Sequence, residues 1–315
     1  MMVITLGLRN HNKVVDTGKS KRYHAVVKVI TKCPNNKLGG RIVKISLSTT
    51  GATVRKVGPV SGTGSFLLLA HTYEAGDEIV VEFDPTELNQ SYWVQLDAAL
   101  APSLVYFTKS PWRYRVPTDF LRVTAPDKES IYPEQAFAGQ EHLLRVWPAV
   151  HQEQVEVRNL ARNTYDQADD TGAYPHAFAN IETRHDPTFA ARNAIDGYTL
   201  NDHHGAFPYQ SWGINQDPQA AFSLSFGRPV DLTQLTVVLR ADFPHDSYWT
   251  QGTVTFSDGT KVLLNFNKSA APQSFSVQKK GITGLTFDHL IKADDDSPFP
   301  ALIEFEAWGT DSDEA

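Results

Sequence analysis

Residues 220–240 read AAFSLSFGRPVDLTQLTVVLR and contain two apolar runs of β-strand length, AAFSLSFG (220–227) and LTQLTVVLRA (232–241). A short polar turn separates them, and neither run has the period of an amphipathic helix. Further strand-length runs follow, and the Asp-Gly pair of FSDG (256–259) favours a hairpin turn. These runs, which predict an all-β second half, are GTVTFSDG (252–259), KVLLNF (261–266), QSFSVQK (273–279), GLTFDHL (284–290) and ALIEFEAWG (301–309).

The first half of the chain has the same character. Short β-rich runs separated by Gly, Pro, Asn and Asp are typical of a β-sandwich or barrel. The runs are VITLGL (3–8), YHAVVKVIT (23–31), RIVKISLST (41–49), GSFLLLAHTY (64–73), DEIVVEF (77–83), SYWVQLDAAL (91–100), SLVYFT (103–108) and WRYRV (112–116). Two further strands are expected at EHLLRVWPAV (141–150) and QVEVRNL (154–160). We therefore predict an all-β protein of two β-sandwich domains.

Charge divides the chain into the same two halves. Residues 1–150 carry 18 Lys and Arg against 13 Asp and Glu, whereas residues 151–315 carry 11 against 23. We predict a first domain of unknown role at 1–150 and a second domain at 151–315, with opposite charges that favour their docking. The basic residues of the first half are scattered, which argues against a nucleic-acid partner.

Composition restricts the remaining classes. The single cysteine, Cys33, cannot form a disulfide within one chain. No stretch reaches the roughly 20 apolar residues of a membrane span. The opening MMVITLGLRNHNK has too short an apolar run for a secretory leader. A cytoplasmic location is therefore expected, unless a leader was removed. The sequence does not indicate the oligomeric state.

The order of short motifs in the second half resembles a known family. From about residue 159 to 310 it resembles galactose-binding-like jelly rolls, namely discoidin or coagulation factor type C domains and related carbohydrate-binding modules. The motifs are NLA (159–161), ARNAIDG (191–197), SWG (211–213), AAFSLSFGRPVDLTQLTVVLR (220–240), FSDG (256–259) and IEFEAWG (303–309). The resemblance implies a binding domain, and it also implies a structural calcium site at Asp196, the loop to Asn201, and Glu304. The alternative role for Asp196 is to cap its own turn.

Charged and aromatic residues are concentrated between Tyr174 and Trp249, where five of the eleven histidines lie. Buried charges are rare unless paired, so this stretch is interpreted as loops at one rim of the β-scaffold. In RADFPHDSYW (240–249), arginine and carboxylate side chains can bind vicinal hydroxyls, and an aromatic ring can stack on a sugar. The candidates here are Arg240, Asp242, His245, Asp246 and Trp249. Alternatively, the polar members brace the loop among themselves and Trp249 belongs to the core.

Two earlier segments supply the other candidate ligand-binding residues. From HAFANIETRHDPTFAARN (176–193) and DHHGAFPYQSWG (202–213) they are His176, Glu182, Arg184, Arg192, His204 and Trp212. In an extended segment Glu182 and Arg184 would face the same side. Such a pair either orients a ligand or holds the loop.

The favoured function is binding of a carbohydrate or glycoconjugate by this rim. A rival from another class is a carbohydrate-active enzyme, a hydrolase or lyase that uses Glu182, Asp246 and His245 as acid and base. A third alternative is a protein-interaction module in which the acidic half recruits a basic partner. The sequence does not decide which sugar is bound.

Overall fold

A computed structural model describes residues 26–27, 43–49, 52–59, 64–118 and 129–312. The predicted strand at 3–8, most of the one at 23–31, and Cys33 lie outside these ranges. Within them the protein is almost entirely β, with one α-helix, α1 (His151–Val155), and several short 3₁₀ segments. None of the described helices is long and apolar enough to cross a membrane. The predicted all-β class with two sandwiches is confirmed.

Two antiparallel sheets form the first sandwich. The four-stranded sheet contains, in spatial order, β1 (Val26–Val27), β2 (Lys44–Ser48), β5 (Glu78–Glu82) and β8 (Trp112–Arg115). The six-stranded sheet contains β11 (Ala173–Tyr174), β7 (Ser103–Phe107), β6 (Gln90–Gln95), β9 (Glu141–Pro148), β4 (Ser65–Ala70) and β3 (Thr53–Pro59).

Alternation along these strands produces the first core. Successive side chains of a strand point to opposite faces, and in β4 every second residue, such as Leu67 and Leu69, is buried. The two sheets meet through aromatic rings, with the centroids of Phe107 and Trp112 5.1 Å apart. Trp112 and Tyr114 are both fully buried between the sheets.

The second sandwich contains eight strands. They are β10 (Arg158–Asn159), β12 (His176–Ala179), β13 (Trp212–Gly213), β14 (Phe222–Leu239), β15 (Trp249–Phe256), β16 (Lys261–Asn265), β17 (Gln273–Lys292) and β18 (Ala301–Asp311). The main path runs β10-β18-β14-β17-β15-β16, with β12 added on β14 and β13 on β18. All the pairs are antiparallel.

Two long strands, β14 and β17, contribute to both layers of this sandwich. In β14 the pairing register shifts between Ser225 and Val230, and Gly227 there has φ +68°, which glycine adopts without steric cost. The first half of β14 pairs with β12, and the second half pairs with β18 on the same edge. The two halves face each other, because the ring of Phe222 lies 5.7 Å from that of Phe305 on β18.

We name the two layers by their edge strands. The β16 layer comprises β12, the first half of β14, the second half of β17, β15 and β16. The β18 layer comprises β10, β13, β18 and the other halves of β14 and β17. The sequence predicts two strands in each of the segments that form β14 and β17, whereas the structure has one continuous, bent strand in each. The predicted strand at 154–160 is divided between the end of α1 and the short β10.

The chain passes between the two sandwiches more than once. β10 pairs with β18 of the second sandwich, but the following residues return, since Tyr165 is buried in the first core and β11 pairs with β7. From His176 onward the strands belong to the second sandwich. The predicted boundary near residue 150 stays a prediction.

Candidate ligand-binding rim

Five chain segments at one end of the second sandwich form a pocket of about 320 Å³, which we call the rim pocket. Its polar lining comes from Arg184, His204, Asn215, Arg240 and His245, and its aromatic lining from Phe189 and Phe299. Four of the predicted ligand-binding residues, Arg184, His204, Arg240 and His245, are thus brought together. The volume is in the ~300–1,000 Å³ range of small-molecule sites.

Arg240 forms part of the pocket wall and is held from several sides. Its Nε lies 3.2 Å from Oδ1 of Asp242, and both side chains are almost fully buried. The pair is an ion pair without the alignment of a hydrogen bond, since neither atom has a hydrogen-bond partner in the described structure. The Nη2 group donates to the carbonyl oxygens of His245 (3.4 Å) and Phe299. Burial lowers the pKa of Arg240, opposed by the charge of Asp242, and an arginine remains protonated in proteins.

Two histidines lie beside this ion pair. Nδ1 of His204 contacts Oδ2 of Asp242 in a short hydrogen bond, which fixes the imidazole on the pocket wall. The ring of His245 lies 5.0 Å from that of His204, nearly perpendicular to it, and 5.4 Å from the ring of Phe299. The His204 side chain is 41% exposed. Imidazole nitrogens can donate or accept hydrogen bonds, whereas a guanidinium can only donate them. The two histidines can therefore add the hydrogen-bond acceptors for hydroxyl groups that Arg240 lacks.

Arg184 reaches the pocket through an unusual backbone conformation. Arg184 and His185 have φ of 56° and 51°, in the left-handed region that non-glycine residues rarely adopt. The Arg184 guanidinium lies 5.6 Å over the ring of Phe189 and 3.8 Å from Asp186. The segment is therefore not extended. Strand alternation predicts that Glu182 and Arg184 face the same side, but in the structure they line different pockets.

Phe189 and Phe299 also line the pocket but were not among the residues predicted from the sequence. Phe299 is 40% exposed and lies between Pro298 and Pro300 in the loop before β18. An aromatic residue between two prolines is unsuited to a central strand, because proline has no N–H to donate. The Pro-Phe-Pro pattern could therefore have identified Phe299 as an aromatic residue in a loop. Nothing in the local sequence of Phe189 distinguishes it from a core residue.

The predicted stacking residues Trp212 and Trp249 are corrected by the structure. Both are fully buried in the second core, with ring centroids 6.3 Å apart. The Trp212 Nε1 donates to the carbonyl of Ile181 at 2.9 Å. Neither ring presents a face to the rim pocket, so the alternative interpretation, core packing, describes their position.

His176 and Arg192 are buried away from the rim pocket. His176 Nδ1 lies 2.9 Å from Asp166 Oδ1. Burial lowers the pKa of His176, but the hydrogen bond and charge of Asp166 outweigh it and raise the pKa above its ordinary value. Arg192 donates to the backbone carbonyls of Asp166 and Thr164, both at 2.9 Å. His176 therefore holds the Asp166 carboxylate, and Arg192 holds the backbone at Thr164 and Asp166.

Glu182 and Asp246 line two further pockets. Glu182 lies with Arg192, Tyr132 and Phe178 in a cavity of about 380 Å³ between the two cores, which we call the junction pocket. Its Oε1 accepts the backbone N–H of Ala191 at 2.8 Å.

Asp246 lines a pocket of about 170 Å³ on the other side of Arg240 and lies 3.2 Å from Lys268. Glu182, Asp246 and His245, the acid and base residues of the enzymatic alternative, thus line three different pockets.

Two buried carboxyl groups meet at the predicted calcium position. Asp196 accepts from the backbone N–H of Tyr198 (2.9 Å) and from Nε2 of Gln210 (2.8 Å). Glu304 Oε2 accepts the N–H of Gly197 at 3.3 Å. Burial raises the pKa of Asp196 to about 6, opposed by the charge of Arg192. Burial, followed by the charge of Asp196, raises the pKa of Glu304 well above its usual range.

The oxygens at this position fit a hard cation. Among the described residues, Oε1 of Glu304 and Oε1 of Gln210 are buried without a hydrogen-bond partner. Calcium prefers carboxylate, amide and carbonyl oxygens. The amide nitrogen of Asn201 donates to the carbonyls of Leu239 and Ala270, both at 2.8 Å, so only its oxygen is available. No cluster of three or more His, Cys, Asp or Glu side chains suited to a metal occurs in the described parts of the chain, so backbone or amide oxygens must complete any site.

Comparison with known proteins gives structural matches alone. No protein-family model matches the chain. No curated protein matches it either.

Similar solved structures cover about half of this chain. Chitosan-binding module 1 of a chitosanase/glucanase from Paenibacillus sp. IK-5 is 14% identical, with a TM-score of 0.34 over 48% of this chain and 99% of that chain. A fucose-binding module of Streptococcus pneumoniae is 15% identical, with a TM-score of 0.33 over 48% and 96%. The family 32 carbohydrate-binding module of NanJ from C. perfringens, solved with galactose, is 13% identical, with a TM-score of 0.32 over 42% and 91%.

The matched structures are carbohydrate-binding modules and lectin domains with galactose-binding-like jelly-roll folds, the fold predicted for the second half. The ligands named for these structures are those of the matched proteins.

Proposed function

We propose that the protein binds a carbohydrate in the rim pocket. The observation that carries the proposal is the convergence of Arg184, His204, Arg240 and His245 on one cavity that also exposes the ring of Phe299. Sugars present hydroxyl groups around an apolar C–H face, and the pocket offers both complementary surfaces. Charged donors bind hydroxyl oxygens strongly, and an aromatic ring binds the C–H face.

The residues have different tasks in this proposal. Arg240 is already oriented by Asp242 and two carbonyls, so little side-chain entropy is lost when a ligand binds. His204 and His245 supply donors and acceptors beside Arg240. Phe299 supplies the exposed apolar face, whereas Phe189 is buried beneath the Arg184 guanidinium. Arg184 lies at the entrance, with its side chain 69% exposed.

Adjacent histidines provide a matched test of the proposal. His204 lines the rim pocket, whereas His203 beside it is 66% exposed, lies 3.4 Å from Asp202 and does not line the pocket. We expect His204→Ala to weaken binding of the best sugar from a glycan array at least tenfold, which is about 1.4 kcal/mol, and His203→Ala to leave it unchanged. Isothermal titration calorimetry measures both values.

The array and the variants can each contradict the proposal. Absence of any sugar bound above background by the wild-type protein would exclude it. Equal affinities of the His204→Ala and His203→Ala proteins would move the site away from the rim pocket. A Phe299→Ala variant serves as a second test, since it removes the exposed ring without touching the buried ion pair.

We further propose a structural calcium ion at Asp196 and Glu304. Two buried carboxylates near each other repel, and a divalent cation between them would remove that repulsion. The unpartnered oxygens of Glu304 and Gln210 support this assignment. The ion would link the loop from Gly197 to Asn201 to Glu304 on β18 and so stabilise the part of the rim that follows this loop.

Calcium binding is expected to raise the unfolding temperature. At a calcium concentration of about 100 times Kd the gain is ~2.7 kcal/mol, or about 5–10 °C for a domain of this size. Glu304→Gln should abolish the shift between calcium and chelator. Glu306→Gln, on the same strand but at a half-exposed position, should retain it. Unfolding curves that do not differ with calcium and chelator in the wild-type protein would rule out the ion.

A further inference from the structure

The outward face of the β16 layer carries a row of side chains at directly opposed positions on five strands. Pairing places Phe178 opposite Ser223, Ser223 opposite Thr286, Thr286 opposite Thr255 and Thr255 opposite Lys261. Because the row follows the pairing direction, its members repeat at the strand spacing of ~4.8 Å and span about 19 Å.

These residues line an open groove of about 590 Å³ together with Ser225 and Thr283. The hydroxyl groups of Ser223 and Thr286 are 3.0 Å apart. One of them donates to the other, and a hydroxyl accepts two hydrogen bonds and donates one, so both retain capacity for a ligand. A surface built from hydroxyl groups matches a ligand that presents hydroxyl groups at a similar spacing.

Phe178 gives the groove an aromatic end. Its side chain is 48% exposed, and it lines both this groove and the junction pocket. The Phe178 ring stacks on the imidazole of His176, with the ring centroids 5.8 Å apart and 23° between the ring planes. This contact orients the Phe178 ring. The hydroxyl face therefore continues into the junction pocket across an exposed, oriented ring.

The charge of the groove does not favour a strongly charged ligand. Among the described residues that line it, Lys261 and Asp288 are the only charged side chains, one of each sign. An anionic or cationic polymer would gain little from such a balanced surface, whereas a neutral chain loses no ionic hydration when it binds.

We propose that this groove is a second binding site, which takes an extended, neutral polysaccharide chain lying across the strands with one sugar stacked on Phe178. About one sugar residue would lie over each of the five strands, so the row accommodates roughly five residues at the ~4.8 Å strand spacing. The site is independent of the rim pocket, which encloses a compact ligand end by loops. It gives the protein a means of holding the length of a chain as well as a single sugar.

Affinity electrophoresis tests this site. The protein is run in native gels that contain xylan, glucomannan, mixed-linkage β-glucan or dextran, with the anionic polymer alginate as a comparison. We expect at least one neutral polymer to retard the wild-type protein more than alginate does. We expect Phe178→Ala and the double variant Thr255→Val/Thr286→Val to lower the affinity for that polymer, calculated from the retardation, at least tenfold. Both substitutions in the double variant keep β-branched side chains, which suit a strand.

Two controls separate this site from the rim pocket and from general damage. His204→Ala, in the rim pocket, should lower retardation by the polymer less than Phe178→Ala does. Thr233→Val, an exposed threonine of the β18 layer, should also have no effect. Unfolding temperatures establish that each variant is folded.

The proposal is overturned if none of the four neutral polymers retards the wild-type protein, or if alginate retards it more strongly. It is also overturned if folded Phe178→Ala and Thr255→Val/Thr286→Val proteins are retarded like the wild type. A loss in His204→Ala alone would assign polymer binding to the rim pocket and reject the groove.

Discussion

Asp242→Ala is expected to lower the free energy of unfolding by about 3–5 kcal/mol, the usual cost of removing one partner of a buried ion pair. Asp242 and Arg240 are both almost fully buried, and the guanidinium would keep its carbonyl acceptors but lose its counter-charge. The short contact with His204 would be lost as well. Denaturant unfolding at neutral pH measures the change.

Asp246 provides the matched control in the same loop. Its partner Lys268 is 57% exposed, and exposed ion pairs contribute only about 0–1 kcal/mol. Asp246→Ala should therefore change stability little. A double variant, Arg240→Met/Asp242→Leu, removes both charges and should be more stable than Asp242→Ala. Equal, small effects of Asp242→Ala and Asp246→Ala would show that the Arg240 ion pair is not buried as described.

Trp212→Ala should cost about 3–5 kcal/mol of unfolding free energy, because it removes the largest type of side chain from a packed core. The indole is fully buried, lies 5.7 Å from the ring of Phe222 and donates to the Ile181 carbonyl. Trp308→Ala is the control, since Trp308 on β18 is half-buried and its Nε1 donates to the side chain of Glu306. We expect the smaller loss there.

The same variants separate a core tryptophan from a ligand-stacking one. If Trp212 is a core residue, sugar affinity per folded molecule stays near the wild-type value in Trp212→Ala. A large loss of sugar affinity at an unchanged free energy of unfolding would show that Trp212 contacts the ligand, contrary to its buried position in the structure.

The two sandwiches could be predicted from the sequence because the features that indicate strands and turns lie within short segments of the chain. Alternation and turn residues identify β4, β5, β7 and β8 closely, and Asp-Gly marks the hairpin between β15 and β16. The continuity of β14 and β17 was not predictable in this way. It depends on Gly227 and Gly281 taking positive φ within a strand rather than ending it, which is decided by pairing with distant residues.

The rim pocket was predictable in part for the same reason. Arg240 and His245 follow directly on a strongly apolar strand, so their place at a strand end is evident from the sequence. Arg184 and the following His185 adopt left-handed backbone conformations that no periodicity indicates. Trp212 and Trp249 lie beside polar residues along the chain, and only tertiary packing shows that their rings turn inward.

Because residues 165–174 return to the first sandwich, neither half of the chain is complete when it is expressed as a separate fragment. A fragment that ends at residue 150 lacks Tyr165 and the edge strand β11, so it would carry a hole in its interior and an uncovered row of amides on β7. A fragment that begins at 176 lacks β10 and exposes one side of β18. Separately produced halves should therefore aggregate, whereas the intact chain protects both vulnerable edges by itself.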